Sequence, residues 1–341
     1  MIQTQVSQTD PRELSRCSSF DRLTVAGQDR YSEDIKADAA LAQKVDRALW
    51  KDDVLRAIDY HEIDVVVMNG IVYLNGHIDG TTSQSRIENA LRKLPGMLGL
   101  KNNLVLDDML TFEVASALAG LEHTYACKFF TGVSHGVVSL HGDVNDEKVK
   151  LLAEECVAAN PRVRGVINSV RVQGTDPEIK DQPFLQPSIG EEILFLDGVS
   201  SVVRQVIIAP NNRRVLAMLL WGRFADQKQE LRSMNNNETR PPEKLAVISM
   251  DQVRYLTKFS GFLTIRSNER NRYMDFDPAS FHAPHADWVP PYPYCSEDVL
   301  FPVDLHQPAA PLANIPNQIL TPVVVGEQLT KELLANDSLG G

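Results

Sequence analysis

The fold is decided by residues 63–78, IDVVVMNGIVYLNGHI, in which two apolar runs flank the pair Asn69-Gly70. A related stretch, FFTGVSHGVVSLHGDV, occupies residues 129–144. Subtracting the number of Gly70 from that of Gly136 gives a spacing of 66, and the same spacing relates Gly76 to Gly142. Self-similarity at a fixed spacing is typical of one folded unit that is used twice. The sequence therefore predicts a duplicated unit.

Each copy of this stretch predicts a β-hairpin. The pair Asn69-Gly70 is typical of a type I′ turn, because both residues tolerate the positive φ that this turn requires. In the second copy, His135 takes the place of Asn69, which the turn tolerates. Apolar residues alternate along the strands and give the sheet one buried face, at Ile63, Val65, Val67, Val72 and Leu74. The predicted structural turn positions are Asn69, Gly70, Gly76, Gly136 and Gly142.

Helices are predicted on both sides of each hairpin. In the first copy, one helix is expected from Asp38 to about Lys51-Asp52, and a second begins at hydroxyl caps in residues 81–83 and stops at Pro95-Gly96. A third strand follows, so the predicted order is helix, strand, strand, helix, strand. The apolar stripes that carry this pattern are Leu41, Val45 and Leu49, then Ile87, Leu91 and Leu94, then Leu100, Leu104 and Leu106 on the strand. The second copy has Leu110, Val114 and Leu118, then Val149, Ala153, Cys156 and Val157.

The two copies resemble BON domains. The residues that carry the resemblance are VVVMNGIVYLNGHI with MLGLKNNLVL in the first copy and FTGVSHGVVSLHGDV with VRGVINSVRV in the second. The resemblance implies two tandem α-β-β-α-β sandwiches, which we place at residues 36–107 and 108–174. BON domains are generally linked to envelope stress and to phospholipid association, so the resemblance also implies a role at a membrane surface.

The remaining chain divides into a linker, a β module and two arms. Residues 175–188 carry three prolines and predict a linker. In residues 189–267, short β-branched runs on either side of PNNRR predict a hairpin in a small all-β barrel or sandwich. This module resembles a PRC barrel at Leu196, Asp197, Gly198, Val203, Val206, Ile207, Arg214, Val215, Ala217, Gly222, Leu245, Val247, Ile248 and Val253. Residues 1–35 predict a polar N-terminal arm and residues 268–341 an extended, proline-rich C-terminal arm. The predicted fold class is therefore α+β.

Composition excludes several classes of function. With a net charge of −11 and a pI near 5.2, the chain lacks the basic surface that nucleic acid demands. Its longest apolar runs fall far short of the roughly 20 residues that a membrane helix needs. The first 35 residues contain no apolar signal segment, and the four cysteines lie far apart with no CxxC pair. These features favour a cytoplasmic protein with reduced thiols.

Catalytic and metal-binding motifs are scarce in this sequence. It contains no Walker loop, Rossmann fingerprint, GxSxG elbow or HExxH. The best metal candidate is the HxxH of His282 and His285 with Asp287, joined by His306, but zinc sites need further fixed ligands and surface or packing roles are favoured. The pair Arg213-Arg214 would suit an anion, yet a hairpin tip favours solvent exposure. We therefore predict no catalytic, cofactor or metal site, and an aromatic interaction surface at Trp221, Trp288, Tyr292 and Tyr294, with a barrel-core role for Trp221 as the alternative.

Three functional hypotheses follow. The first is a non-catalytic binding or assembly protein that forms homo-oligomers, up to an extended assembly, or binds a protein partner through sheet edges and arms. The second, which rests on the resemblance, is a stress protein associated with phospholipid or the cell envelope. The third is a metal-dependent regulator or an enzyme, which would need convergent polar residues in a pocket.

Overall fold

The computed structural model describes residues 28–174, 184–224, 243–257 and 260–303, with side chains from residue 35 onward. The predictions made for residues 1–27, 175–183, 225–242 and 304–341 lie outside the described residues. This applies to Cys17 and His306 as well.

The first repeat is a small sheet covered by helices on one face. Its elements are α1 (Gln28–Trp50), α2 (Asp53–Ile58), β1 (Ile63–Met68), β2 (Ile71–Ile78), α3 (Thr81–Leu91), β3 (Gly99–Asn102) and β4 (Val105–Leu106). Strand β2 pairs antiparallel with β1 and parallel with β3 and β4. Asn69 and Gly70 have φ of 51° and 74°, the positive values that the predicted type I′ turn requires. The predicted stripes of α1 and α3 and the inner face of β2 form one buried core.

Three local predictions for the first repeat are wrong. Helix α1 begins at Gln28 rather than Asp38 and so takes in the end of the predicted N-terminal arm of residues 1–35; residues 28–37 lack an apolar stripe but contain several good helix formers. The predicted third strand is two short strands, β3 and β4. The start of α3 lacks a hydroxyl cap, since the Thr81 N–H donates to Asp108 Oδ2 at 3.3 Å. Helix α2, capped by Asp52, was not predicted.

The second repeat has the same strand order and register. Its elements are α4 (Asp107–Tyr125), β5 (Lys128–Ser134), β6 (Val137–Val144), α5 (Glu147–Ala158), β7 (Gly165–Asn168) and β8 (Arg171–Val172). Ile71 faces Gly99 in the first sheet and Val137 faces Gly165 in the second, so adding 66 converts one register into the other. The first helices are related by 69, from Leu41 to Leu110, because α2 and a short 3₁₀ turn lengthen the path to β1. Helix α4 begins directly after β4, with no residue between them.

Within the described residues, the third sheet has nine strands. They are β9 (Glu192–Leu194), β10 (Ser200–Ile208), β11 (Val215–Gly222), β12 (Lys244–Ser249), β13 (Val253–Leu256), β14 (Ser260–Leu263), β15 (Met274–Asp275), β16 (Phe281–His282) and β17 (Val299–Pro302). The path runs β13-β14-β9-β10-β11-β12-β15, with β17 on β10 and β16 on β17. The antiparallel β10–β11 pair confirms the predicted hairpin. The resemblance to a PRC barrel stays a prediction, since among the described strands β13 and β15 do not pair to close the sheet.

The C-terminal part of the chain is not an extended arm as far as residue 303. Strands β15, β16 and β17 belong to the third sheet, and Tyr273, Tyr294, Val299 and Phe301 lie in its core. The sequence is rich in proline here because the strands are only two to four residues long and joined by turns. Residues 184–188, assigned to the linker, also pack: Phe184 lies against Gly165, and the Pro187 carbonyl accepts the Tyr294 hydroxyl at 2.6 Å.

Candidate interaction surfaces

Each hairpin turn is held by an aspartate from the first helix of its own repeat. Asp38 accepts the backbone N–H groups of Asn69 and Gly70 at 2.7 and 2.8 Å. Asp107 accepts those of His135 and of Gly136, the latter at 2.9 Å. This pair was not predicted from the sequence, although each aspartate lies three residues before the first apolar residue of its helix stripe.

The Asp107 carboxylate is the more deeply buried of the two. It is 4% exposed, and burial raises its pKa from 3.8 to about 6 even though the two backbone N–H groups favour the ionised form. The charge of His135 also lowers this pKa, and that of Asp79 raises it. Asp107 therefore changes charge near neutral pH while it holds the turn of the second repeat.

Two of the five predicted turn positions lie in strands instead. Gly76 and Gly142 belong to β2 and β6, at φ of 118° and 141°. A Cβ on Gly76 would lie 1.9 Å from the Glu62 carbonyl oxygen, and one on Gly142 would lie 2.4 Å from that of Lys128. Glycine is therefore required at both positions, because the backbone at Glu62 or at Lys128 lies too close to leave room for a side chain.

The tip of the β10–β11 hairpin docks on the second repeat. The Val166 N–H on the edge of β7 donates to the Asn212 carbonyl at 2.9 Å. The Asn211 amide donates to Glu154 Oε1 at 3.3 Å, and burial raises the pKa of that glutamate. The hairpin thus extends the hydrogen bonding of the second sheet at one end of β7.

Arg213 is buried at this contact, so its predicted solvent exposure is wrong. It is 2% exposed, and its guanidinium donates to the carbonyls of Ala158 at 3.3 Å and Val289 at 2.7 Å. It also lies 5.1 Å from the ring centroid of Trp288. Burial lowers its pKa to about 9. The sequence could not show this, because the partners come from α5 and from a loop 76 residues away.

A second internal contact joins both repeats and the third module. Arg164 forms an ion pair with Glu62 at 2.6 Å and lies 5.7 Å from the ring centroid of Tyr292. His77 Nε2 bonds the Arg162 carbonyl at 2.8 Å. His77, Arg162 and Tyr292 line a cavity of about 30 Å³, room for a water molecule or two. The Nδ2 of buried Asn75 lines it without a hydrogen-bond partner among the described residues.

The four predicted surface aromatics do not form one exposed surface. Tyr294 is 6% exposed and belongs to the core of the third module, which corrects its placement. Trp288 packs partly buried against that core beside Phe301, and Tyr292 lies against His77. Only Trp221 stands apart, with its indole N–H donating to Glu243 at 3.2 Å. Tyr294, Trp288 and Tyr292 therefore make contacts within the chain.

The metal candidate is only partly described. The rings of His282 and His285 have centroids 6.4 Å apart. Among the described residues, no group of three or more His, Cys, Asp or Glu side chains is arranged to hold a metal ion. Within the same residues, no helix combines the length and apolar character needed to cross a bilayer.

The outer face of α4 carries exposed apolar side chains. Phe112 is 71% and Met109 53% exposed. Along the same face lie the small residues Ala115, Ser116, Ala119 and Gly120, all exposed. This face was not predicted from the sequence. Its signal is a difference between α1 and α4 at a spacing of 69, because α1 has Gln43 at the position where α4 has Phe112.

The open face of the first sheet is apolar too. Cross-strand pairs Val66–Tyr73 and Met68–Ile71 lie on the face away from the helices. The corresponding pairs of the second sheet are Gly132–Ser139 and Ser134–Val137. Leu98, at the start of β3, is 81% exposed.

Comparison with known proteins gives a limited match. A comparison with curated proteins found none that matches. A solved structure of CdsD, a structural protein of the type III secretion system of Chlamydia trachomatis, has 16% identity and a TM-score of 0.33, covering 44% of this chain and 70% of that chain. A structure of the CdsD C-terminal domain has 17% identity and a TM-score of 0.33, covering 40% and 66%. The BON domain family model matches residues 37–108 and 131–174, which confirms the BON part of the predicted resemblance.

Proposed function

We propose that this protein is a non-catalytic assembly protein and that two copies associate through the outer faces of their α4 helices. The observation that carries the proposal is the exposure of Phe112 and Met109 on a helix whose opposite face is already packed in the core. A helix that is apolar on both faces gains free energy when its second face is also covered. The match to the BON family is compatible with a binding role.

The face suits a second copy because it is self-complementary. When two α4 helices cross antiparallel about Ser116, Phe112 of one helix lies opposite Gly120 of the other. A Cβ on Gly120 would meet nothing within 4 Å, so an aromatic ring has room there. A two-fold axis makes each such contact occur twice. Small residues at the crossing point allow the backbones to approach closely.

The charges around α4 favour protein over lipid. Asp108, Glu113 and Glu122 all lie on this helix, and the whole chain carries a net charge of −11. An anionic bilayer would repel such a surface. Association with phospholipid remains the alternative that the BON resemblance implies, and it serves as the competing outcome of the test.

The test is sedimentation equilibrium of the full chain over a range of concentrations. We expect a monomer–dimer equilibrium that Phe112→Gln shifts at least tenfold toward monomer, since that change gives α4 the residue found in α1. Gln43→Ala on the exposed face of α1 is the matched control and should leave the equilibrium unchanged.

Two results would refute the proposal. One is a wild-type chain that stays monomeric at high concentration, and the other is an unchanged equilibrium in Phe112→Gln with the thermal melt preserved. Flotation of the monomer with vesicles of anionic and neutral phospholipid, lost in Phe112→Gln, would assign the face to a membrane instead.

A further inference from the structure

The edge of β7 in the second repeat is a seat that two other segments of the same chain fill, the one with Phe184 and the tip of the β10–β11 hairpin. Three contacts fill it. The Phe184 ring covers Gly165, where a Cβ would lie 2.2 Å from Phe184 Cε2. The Val166 N–H donates to the Asn212 carbonyl at 2.9 Å, and Glu154 accepts an amide from the same hairpin tip. The seat is therefore made of a glycine, an outward N–H group and a carboxylate.

The first repeat carries the same three groups 66 residues earlier, at Gly99, Leu100 and Glu88. The register of β3 on β2 equals that of β7 on β6, so the Leu100 N–H points outward as the Val166 N–H does. Within the described part of the chain, this N–H has no hydrogen-bond partner. A Cβ on Gly99 would contact only Ile71, at 3.8 Å. Glu88 is exposed and accepts only the Gln84 amide, at 3.2 Å.

The sheet positions beside the seat of the first repeat are more apolar than the matching positions of the second repeat. Next to Gly99 lie Ile71 and Tyr73 of β2 on the open sheet face, and Leu98 stands 81% exposed beside them. The positions that match Ile71 and Tyr73 in the second repeat are Val137 and Ser139. An apolar ring that is placed against Gly99 would therefore have Ile71, Tyr73 and Leu98 as apolar neighbours.

We propose that the edge of β3 with Gly99 binds an extended segment of a protein partner that carries an aromatic side chain. The segment presents a backbone carbonyl to the Leu100 N–H, a ring to Gly99 and Ile71, and an amide donor to Glu88. Main-chain hydrogen bonding to a sheet edge supplies affinity, and the glycine seat selects the ring. This site is separate from the face of α4.

A partner fits better than this chain's own donor. Counting only the described residues, each molecule has one segment pair of this kind, Phe184 with the tip at Asn212, and two seats. The second repeat of the same molecule already holds that pair, and an intramolecular contact has the advantage of high effective concentration. A second copy has its own donor engaged in the same way. The first repeat is thus left with a seat and no donor among the described residues.

The test uses a capped peptide with the sequence of residues 181–190, DQPFLQPSIG, added to the isotope-labelled full chain. We expect saturable shifts of the amide resonances of Gly99, Leu100 and Lys101, and none with the same peptide in which alanine replaces phenylalanine. Gly99→Val should abolish the response, because its side chain fills the seat. The protein with Phe112→Gln in α4 should respond as the wild type does, so a failure of this proposal and of self-association are distinguishable.

The matched control is Gly165→Val. This change should lower the thermal melting temperature, since Phe184 is displaced, whereas Gly99→Val should not. Absence of saturable shifts at Gly99 and Leu100, or an equal response from folded Gly99→Val protein, would overturn the proposal. Shifts confined to Gly165 and Val166 would show displacement of the chain's own segment and overturn it as well. Concentration-dependent shifts at Gly99 without peptide would assign the seat to a second copy instead of a partner.

Discussion

Replacing Asp107 by asparagine should change how stability depends on pH. The pKa of this carboxyl is raised by burial to about 6 in the folded chain, against an ordinary value of 3.8. The folded state therefore binds the proton more tightly than the unfolded state. The contribution of Asp107 to stability is fully present below pH 3.8 and is lost as the pH rises through about 6.

The size of the effect follows from these two values. Linkage gives about 2 kcal/mol for the loss of stability between roughly pH 4.5 and pH 7.5 from this one group. Asparagine does not titrate, so the free energy of unfolding of wild type minus that of Asp107→Asn should fall by about that amount over this range. Because His135 and Asp79 act on the same carboxyl, the difference between the two proteins is the quantity to measure.

The assay is urea unfolding at a series of pH values, followed by circular dichroism. Asp38→Asn is the matched control, since Asp38 holds the turn of the first repeat with the same two bonds. The Asp38→Asn variant shows how much stability is lost when one carboxylate oxygen is replaced by an amide nitrogen, which cannot accept a hydrogen bond. A wild-type-minus-variant difference for Asp107 that stays constant, or grows, as the pH rises would refute the argument that burial dominates at this carboxyl.

Three further changes should destabilise the protein in urea unfolding. Gly76→Ala should lower the free energy of unfolding by more than about 1 kcal/mol, because its Cβ would lie 1.9 Å from the Glu62 carbonyl oxygen at positive φ. Arg213→Ala should lower it by about 2–4 kcal/mol, because two buried carbonyls lose their donor and the docked hairpin loses its packing. Tyr294→Phe should lower it by about 1 kcal/mol through loss of the hydroxyl bond to the Pro187 carbonyl.

Each of these predictions has a matched control elsewhere in the chain. Gly132→Ala in β5 places a Cβ that meets nothing within 4 Å, Arg204→Ala removes an exposed arginine of β10, and Tyr255→Phe alters an exposed tyrosine. All three controls should stay near wild-type stability. A test variant no less stable than its control would contradict the corresponding contact.

The hairpins of the two repeats could be predicted because their signals are local. Asn69-Gly70 sets the turn by backbone conformation alone, and alternating apolar residues set the face. The core stripe of α4, which begins with Leu110, could likewise be predicted because its apolar residues recur every fourth position. The start of α1 was not, because residues near Gln28 are polar and helix propensity without a stripe gives only a weak signal.

The candidate surfaces depended on information that no single stretch contains. Arg213 looked like a solvent-exposed hairpin residue until its partners from α5 and the Trp288 loop were known. Residues 268–303 were predicted to be an arm, because short strands separated by prolines show no hydrophobic periodicity. The exposure of Phe112 and the open seat at Gly99 are recognised only by comparing the two repeats position by position, because side-chain exposure and hydrogen bonding depend on the fold.

The direct passage from β4 into α4 has a mechanical consequence. Because no residue separates Leu106 from Asp107, a rotation of one repeat relative to the other would have to break the end of β4 or the start of α4. The Arg164–Glu62 ion pair is a second link between the two repeats. With the two repeats fixed to each other, a dimer formed through α4 would hold its two open seats, one at Gly99 of each copy, at a constant distance and angle. A partner with two suitable segments would bind both seats only if its segments matched that distance and angle. One extra residue inserted before Asp107 would remove this fixed arrangement.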